Sequence, residues 1–88
     1  MSMHGPRIHD LRCDAEVFNL TYRGLKNFEL RKDDRGFTVG DIVTLNETKG
    51  PTEPQLYTGR TLRFEITCVV KSYGLAPGHV ALGLRRIE

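Results

Sequence analysis

The stretch TLRFEITCVVK, residues 61–71, carries the clearest structural pattern in this chain of 88 residues. Its apolar side chains recur at every second position, which is the period of a β-strand with one buried face. The side chains predicted to point inward are Leu62, Phe64, Ile66, Cys68 and Val70. A single strand cannot bury that face alone, so further strands must lie beside it.

The segments on either side supply those strands. After the turn YGLAPG, an alternation of Val80, Leu82 and Leu84 with other residues predicts the last strand. Upstream, the apolar residues of DIVTLNET, residues 41–48, predict another strand. Between them KGPTEPQ, residues 49–55, contains two prolines and a glycine, and this composition predicts a loop at a hairpin tip.

The N-terminal half predicts a short strand followed by one short helix. Residues 7–12 read as an extended segment with Ile8 and Leu11 turned inward. Asp14 is a residue type that caps helix N-termini, and apolar residues follow it at helical spacing. Gly24 stands where a helix C-cap glycine is preferred, so the helix is expected to be about ten residues long.

A charged strand, NFELRK, residues 27–32, comes after that helix. Glu29 and Arg31 are two residues apart and share one face of it, opposite Phe28 and Leu30. The following DDRG predicts a turn, because aspartate favours early and glycine late turn positions. In the next segment, TVGD, the glycine is expected to take a positive φ.

Two interpretations of this strand remain open. In the simpler one, Glu29 and Arg31 point to solvent or pair across strands with Arg63 and Glu65. In the other, the helix end and the strand start form the wall of a cleft. Lys26 and Arg31 then hold an anion, and Glu29 accepts a hydrogen bond from the amino group of a base.

These elements predict an α+β fold that is mostly β. A small strand-rich chain hides its edges by curling into a barrel, with the helix covering one end. Parallel winding is not expected, because only one helix is available. The length predicts a single domain over residues 7–88, and residues 1–6 are expected to be disordered or left over from an expression vector.

Composition sets further limits. The net charge is +2, and nine of the thirteen basic residues are arginines, which bind phosphates and carboxylates well. No apolar run is long enough to span a membrane, and no secretory signal is visible. Two widely spaced cysteines predict free thiols in the cytoplasm, with Cys68 a small core residue.

No metal or cofactor is expected. The residues of metal-ligating type do not fall at the spacing of a zinc site; they are His4, His9, Cys13 and His79. The sequence also lacks the glycine-rich motifs that bind nucleotide phosphates and the GxSxG motif that carries the nucleophilic serine of serine hydrolases.

The run GLKNFELRKDDRGFTVGD, residues 24–41, resembles the signature of the ASCH domain in the PUA-like superfamily, especially its short bacterial and phage members of unknown function. The similarity extends to YTGR, residues 57–60, and to HVALGL, residues 79–84. The resemblance implies a small PUA-like β-barrel whose N-terminal helix closes one end. It also places RNA or a nucleotide beside the segment G-x-K-x-x-x-x-R, whose lysine and arginine are Lys26 and Arg31 here.

Three functional hypotheses follow. The first is a nucleic-acid-binding module, for RNA in the first place, or a nucleotide-binding one. Lys26, Glu29 and Arg31 would form its cleft, and Lys32 and Arg35 would widen the positive rim. Single-stranded or flipped bases suit such a cleft better than a duplex.

The second hypothesis is a hydrolase of a modified nucleoside such as acetylated cytidine, with Lys26 as nucleophile or base and Glu29 as proton carrier. One branch of the ASCH domains, which this chain resembles, hydrolyses acetylated cytidine with a lysine, a threonine and a glutamate as its catalytic set. Only Lys26 matches, because Glu29 stands at the threonine position and KSYGLAPGH replaces the helical insertion that bears the glutamate. An enzymatic role is therefore not expected. The third hypothesis is a phage-related protein-interaction domain that uses the charged strand.

Overall fold

A five-stranded β-sheet and one helix make up the computed structural model, which describes residues 5–87. The elements in chain order are β1 (Ile8–Asp14), α1 (Ala15–Tyr22), β2 (Phe28–Lys32), β3 (Ile42–Gly50), β4 (Glu53–Val70) and β5 (His79–Arg86). The predicted mostly-β class with one N-terminal helix is confirmed. Residues 1–4 of the predicted N-terminal tail, which include His4, lie outside the described residues.

The predicted closed barrel is wrong. The strand order is β1-β3-β4-β5-β2, and no backbone ladder in the described chain joins the edge strands β1 and β2. Side chains bridge these edges instead. Arg31 on β2 donates to the carbonyl of Arg12 on β1 at 2.6 Å, and Arg35 donates to the carbonyl of Asp10 at 3.3 Å. The sheet therefore curls until its two edges face each other across a gap, here called the seam.

Parallel pairing, which was not expected, occurs once. β1 pairs in parallel with β3, and the chain crosses between them through α1 and β2. The other three pairings are antiparallel. A single helix thus suffices for one parallel pair. β2, which also belongs to this crossover, pairs with β5 at the opposite edge of the sheet.

The helix lies between the predicted capping residues, but at eight residues it is shorter than the ten or so expected. The Asp14 side chain accepts a hydrogen bond from the backbone N–H of Val17 at 3.3 Å, as an N-cap does. Gly24 has φ +77° just after the last turn, where an L side chain would be strained. Phe18 is fully buried and fixes α1 against β1 and β3, so packing rather than propensity stabilises this short helix.

The burial pattern of β1 differs from the prediction. Ile8 is 56% exposed, whereas His9, Leu11 and Cys13 are buried. β1 also starts one residue later than predicted and ends two residues later, at Asp14. The strict alternation of inward side chains places Cys13 on the same face as Leu11.

β4 follows its predicted alternation only as far as Ile66. The register against β5 shifts between Ile66 and Cys68, which turns Cys68 outward and packs Val69 against the core. The prediction that Cys68 and Val70 point inward is therefore wrong. Gly83 lies opposite the shift, where an added Cβ would stand only 2.6 Å from the Cys68 sulfur.

The hairpin between β3 and β4 is tighter than predicted. The strands continue to Gly50 and resume at Glu53, which leaves a two-residue turn in place of a loop over 49–55. The predicted core of β4 and β5 is otherwise confirmed. Its buried members are Leu62, Phe64, Ile66, Val80, Leu82 and Leu84.

Candidate functional site

β2 buries its charged face rather than its apolar one. Glu29 is 4% exposed, whereas Phe28 and Leu30 are 43% and 59% exposed. The interpretation in which Glu29 points to solvent is wrong. A buried carboxylate must be paired and hydrogen-bonded, because it has lost its hydration.

Two cations provide that pairing. Lys26 Nζ contacts Glu29 Oε2 and donates to the carbonyl of Phe28 at 2.6 Å. Arg31 Nε donates to Glu29 Oε1 at 3.0 Å, and Arg31 Nη2 lies 2.9 Å from the same oxygen. Each carboxylate oxygen thus holds one cation, and the predicted trio of Lys26, Glu29 and Arg31 does come together.

The local chain path explains this convergence. The C-terminal turn of α1 closes through Gly24, and the backbone N–H of Lys26 donates to the carbonyl of Leu20 at 3.2 Å. Lys26 is therefore held at the entrance to β2. Glu29 and Arg31 share one face of β2 because side chains two apart in a strand point the same way.

The trio forms one wall of a cavity of about 260 Å³ in the seam. The lining residues are Arg12, Cys13, Asp14, Val17, Lys26, Glu29, Leu30 and Arg31. They include three cationic and two anionic side chains, so the cavity has a small excess of positive charge. Its volume suits one small group such as a nucleobase or a phosphate rather than a large ligand.

Cys13 is a neutral part of the opposite wall. Burial, and then the nearby Glu29 carboxylate, raise the pKa of the Cys13 thiol to about 11. A thiol with that pKa is protonated at neutral pH and is a poor nucleophile. Cys13 therefore contributes shape to the cavity, not reactivity.

Lys32 and Arg35, the other two predicted site residues, do not line this cavity. Lys32 is exposed at the end of β2. Arg35 pairs with Asp34 at 3.3 Å and donates to the carbonyl of Asp10, so it lies farther along the β1 edge of the seam. The structure brings three of the five predicted residues together at the cavity.

Comparison with known proteins places the chain in a family. Residues 8–84 match the family described as "Domain of unknown function (DUF3850)". The chain belongs to that family. This DUF3850 chain is also 36% identical over 64 residues to a protein of Escherichia phage P2 called "Uncharacterized 12.9 kDa protein in GpA 3'region". The similarity covers 72% of this chain and only 54% of the phage protein, so the chain spans about half of that relative.

Sequence reasoning missed a second buried polar cluster in the DUF3850 chain. His9 Nε2 lies 2.8 Å from Asp41 Oδ2, and Asp41 also accepts from the backbone N–H groups of Arg7 and Thr38, both at 3.2 Å. Burial acts to raise the pKa of Asp41, but the hydrogen bonds from His9, Arg7 and Thr38 outweigh it and lower that pKa below 3.8. The cluster ties the start of β1 to the start of β3.

The sequence did contain a signal for part of what was missed. His9, Leu11 and Cys13 alternate at period two, which places Cys13 on the inner face of β1 and at the seam. Arg12 joins the site only because β1 and β2 face each other, and no local pattern reveals that. Within residues 5–87, no three histidine, cysteine, aspartate or glutamate side chains lie together in a way that could hold a metal ion. In the same range, no helix is long and apolar enough to cross a membrane.

Proposed function

We propose that this DUF3850 chain is a small RNA- or nucleotide-binding module whose ligand enters the seam cavity. We further propose that its sheet is an open variant of the PUA-like architecture found in ASCH domains. One observation carries the proposal. Lys26 and Arg31 converge on a buried Glu29 at the wall of a cavity of nucleobase size.

The two cations retain donors for a ligand. Arg31 uses Nε and Nη2 on Glu29 and Arg12, and its Nη1 has no partner among the described residues. A lysine ammonium has three donors, and Lys26 directs two of them to Phe28 and Glu29. Because Glu29 holds both side chains in place, binding an anion costs little additional ordering.

The ligand that fits is a single-stranded or flipped nucleotide. Its phosphate would accept from Arg31 and Lys26, and its base would enter between Cys13 and Leu30. A duplex does not fit, because the seam admits only one small group and a protein of this size cannot fill an A-form groove. Two free thiols, Cys13 and Cys68, support the expected cytoplasmic location.

The contacts support binding better than the hydrolase alternative. Glu29 already accepts from a cation at each oxygen, so it positions Lys26 and Arg31 rather than carrying protons. Cys13 is not ionised at neutral pH. The protein-interaction alternative stays a prediction from the sequence, and the exposed Phe28 and Leu30 mark the face of β2 on which such a partner would dock.

Fluorescence anisotropy tests the proposal. We expect Arg31→Ala to weaken binding of a labelled single-stranded RNA by about tenfold or more, since a charge-assisted hydrogen bond contributes about 1.5–3 kcal/mol. The slope of log affinity against log salt should fall by about one.

Two further variants control that measurement. Lys49→Ala also removes one positive charge, but Lys49 is exposed and forms no ion pair with any described residue, so its affinity should stay close to wild type. Arg31→Lys keeps the charge without the planar fork and should fall between wild type and Arg31→Ala. Equal affinity for wild type and Arg31→Ala would remove Arg31 from the site.

A further inference from the structure

A second basic surface lies on another side of α1. It surrounds a cavity of about 220 Å³ lined by Phe18, Tyr22, Arg60, Thr61, Leu62, Arg63 and Arg86. None of these residues lines the seam cavity. The three arginines, Arg60, Arg63 and Arg86, are here called the arginine cluster.

Aromatic rings hold two of these guanidinium groups in place. The Arg60 guanidinium carbon lies 5.1 Å from the ring centre of Phe18 and 4.9 Å from that of Tyr22. Arg86 lies 5.4 Å from the same Tyr22 ring and donates to the Tyr22 carbonyl at 3.4 Å. Stacking on rings orients a guanidinium without neutralising its charge.

Among the described carboxylates, one balances part of the charge of Arg60 and none pairs with Arg63. Glu47 Oε2 lies 3.8 Å from Arg60 Nη1, and the other Glu47 oxygen accepts from Thr58. Arg63 is half-buried and forms no ion pair with any described residue. Like charges held close together repel one another, so the positive charge of Arg63 beside that of Arg60 favours an anionic ligand in this cavity.

We infer that the arginine cluster is a phosphate subsite for the backbone of the same single strand whose nucleotide enters the seam. The inference rests on the proposed function and extends it to a longer ligand. α1 connects the two cavities, because Val17 lines the seam cavity while Phe18 and Tyr22 line the second one. A helix with its side chains is about 10–12 Å across, so a strand of several nucleotides can reach both cavities, whereas a mononucleotide reaches only one.

Ligand length provides the test. The probes are fluorescently labelled uridine monophosphate and a labelled oligouridylate of about twelve nucleotides, within the range that one small OB-fold domain covers. Arg63→Ala should leave the affinity for the mononucleotide unchanged. It should weaken binding of the oligonucleotide by about five- to tenfold, and lower the salt slope by about one, because one phosphate contact is lost. Arg31→Ala should weaken binding of both probes.

The outcomes separate the two proposals. If Arg63→Ala binds the oligonucleotide as tightly as wild type does, the subsite is wrong whatever Arg31→Ala does. If Arg63→Ala weakens oligonucleotide binding while Arg31→Ala changes neither affinity, the arginine cluster binds phosphate but the seam proposal fails, and with it the link between the two cavities. Circular dichroism checks that each variant is folded. Arg63→Lys, which keeps the charge, should lose less oligonucleotide affinity than Arg63→Ala; an equal loss would contradict an electrostatic subsite.

Discussion

Glu29 is the residue on which the proposed site depends. Its carboxylate is buried, and it holds one cation at each oxygen. Removing one member of a buried ion network leaves the other charged side chains partly buried without a partner. This lowers the free energy of unfolding far more than the loss of an ion pair at the surface does. The site should therefore be visible in stability as well as in binding.

We expect Glu29→Ala to lower the free energy of unfolding by about 3 kcal/mol, because Lys26 and Arg31 lose their shared partner. Glu65→Ala is the matched control, since it breaks the Glu65–Arg85 pair at the surface and should cost about 1 kcal/mol or less. Urea unfolding measures both. A loss for Glu29→Ala no larger than that for Glu65→Ala would show that the buried trio does not stabilise the fold.

Asp41 should make stability depend on pH. Its pKa in the folded chain is lowered, so its stabilising effect is present above the unfolded value of about 3.9 and is lost as the pH falls through the folded pKa. Asp41→Asn removes that effect at every pH. The difference in unfolding free energy between wild type and Asp41→Asn should thus shrink between about pH 6 and about pH 3.

Asp34 provides the comparison for that pH series. Asp34 is exposed and pairs with Arg35 at the surface, so Asp34→Asn should differ little from wild type throughout. A difference for Asp41→Asn that stays constant down to about pH 3 would mean that the Asp41 hydrogen bonds do not favour the carboxylate over the acid.

At the scale of elements, local patterns predicted where helices and strands lie better than which face they bury. Asp14 and Gly24 bound α1 because capping is decided by a few neighbouring backbone groups. In β2, the alternation was correct, but it left open whether the charged or the apolar face is buried, and the structure buries Glu29. An alternating pattern names two faces, and only tertiary packing decides which one is inside.

The register shift in β4 lies opposite Gly83, and the close approach of the two strands there can be tested. Gly83→Ala would bring a Cβ to 2.6 Å from the Cys68 sulfur and 2.9 Å from Thr67 Oγ1. We expect a loss of about 1–3 kcal/mol in unfolding free energy from this overpacking. Adding Cys68→Ala should recover part of the loss, because it removes the nearer atom. A neutral Gly83→Ala, measured by urea unfolding, would contradict the tight approach of β4 and β5.

For the whole molecule, the strand content was predictable but the closure of the sheet was not. The parallel pairing of β1 with β3 joins residues more than thirty positions apart, and no local pattern encodes it. The same holds for the site. Lys26, Glu29 and Arg31 lie within one short segment and were named from sequence, whereas Arg12 and Val17 reach the cavity only through the tertiary fold.

The open seam replaces the predicted barrel closure. Side chains of Arg31 and Arg35 cap carbonyls on the free edge of β1, which protects that edge without a backbone ladder. The gap that remains is the seam cavity. An open sheet therefore provides the proposed binding site, where a fully closed one would leave no space between β1 and β2.

The most direct test of this account is a titration of isotope-labelled protein with uridine monophosphate, followed by amide chemical shifts in NMR. We expect the largest shift changes on residues of the seam cavity, above all Cys13, Lys26, Leu30 and Arg31. Large shift changes should be absent from the β3–β4 hairpin around Lys49. Changes confined to that hairpin or to the outer face of β5, or no change at millimolar ligand, would contradict it.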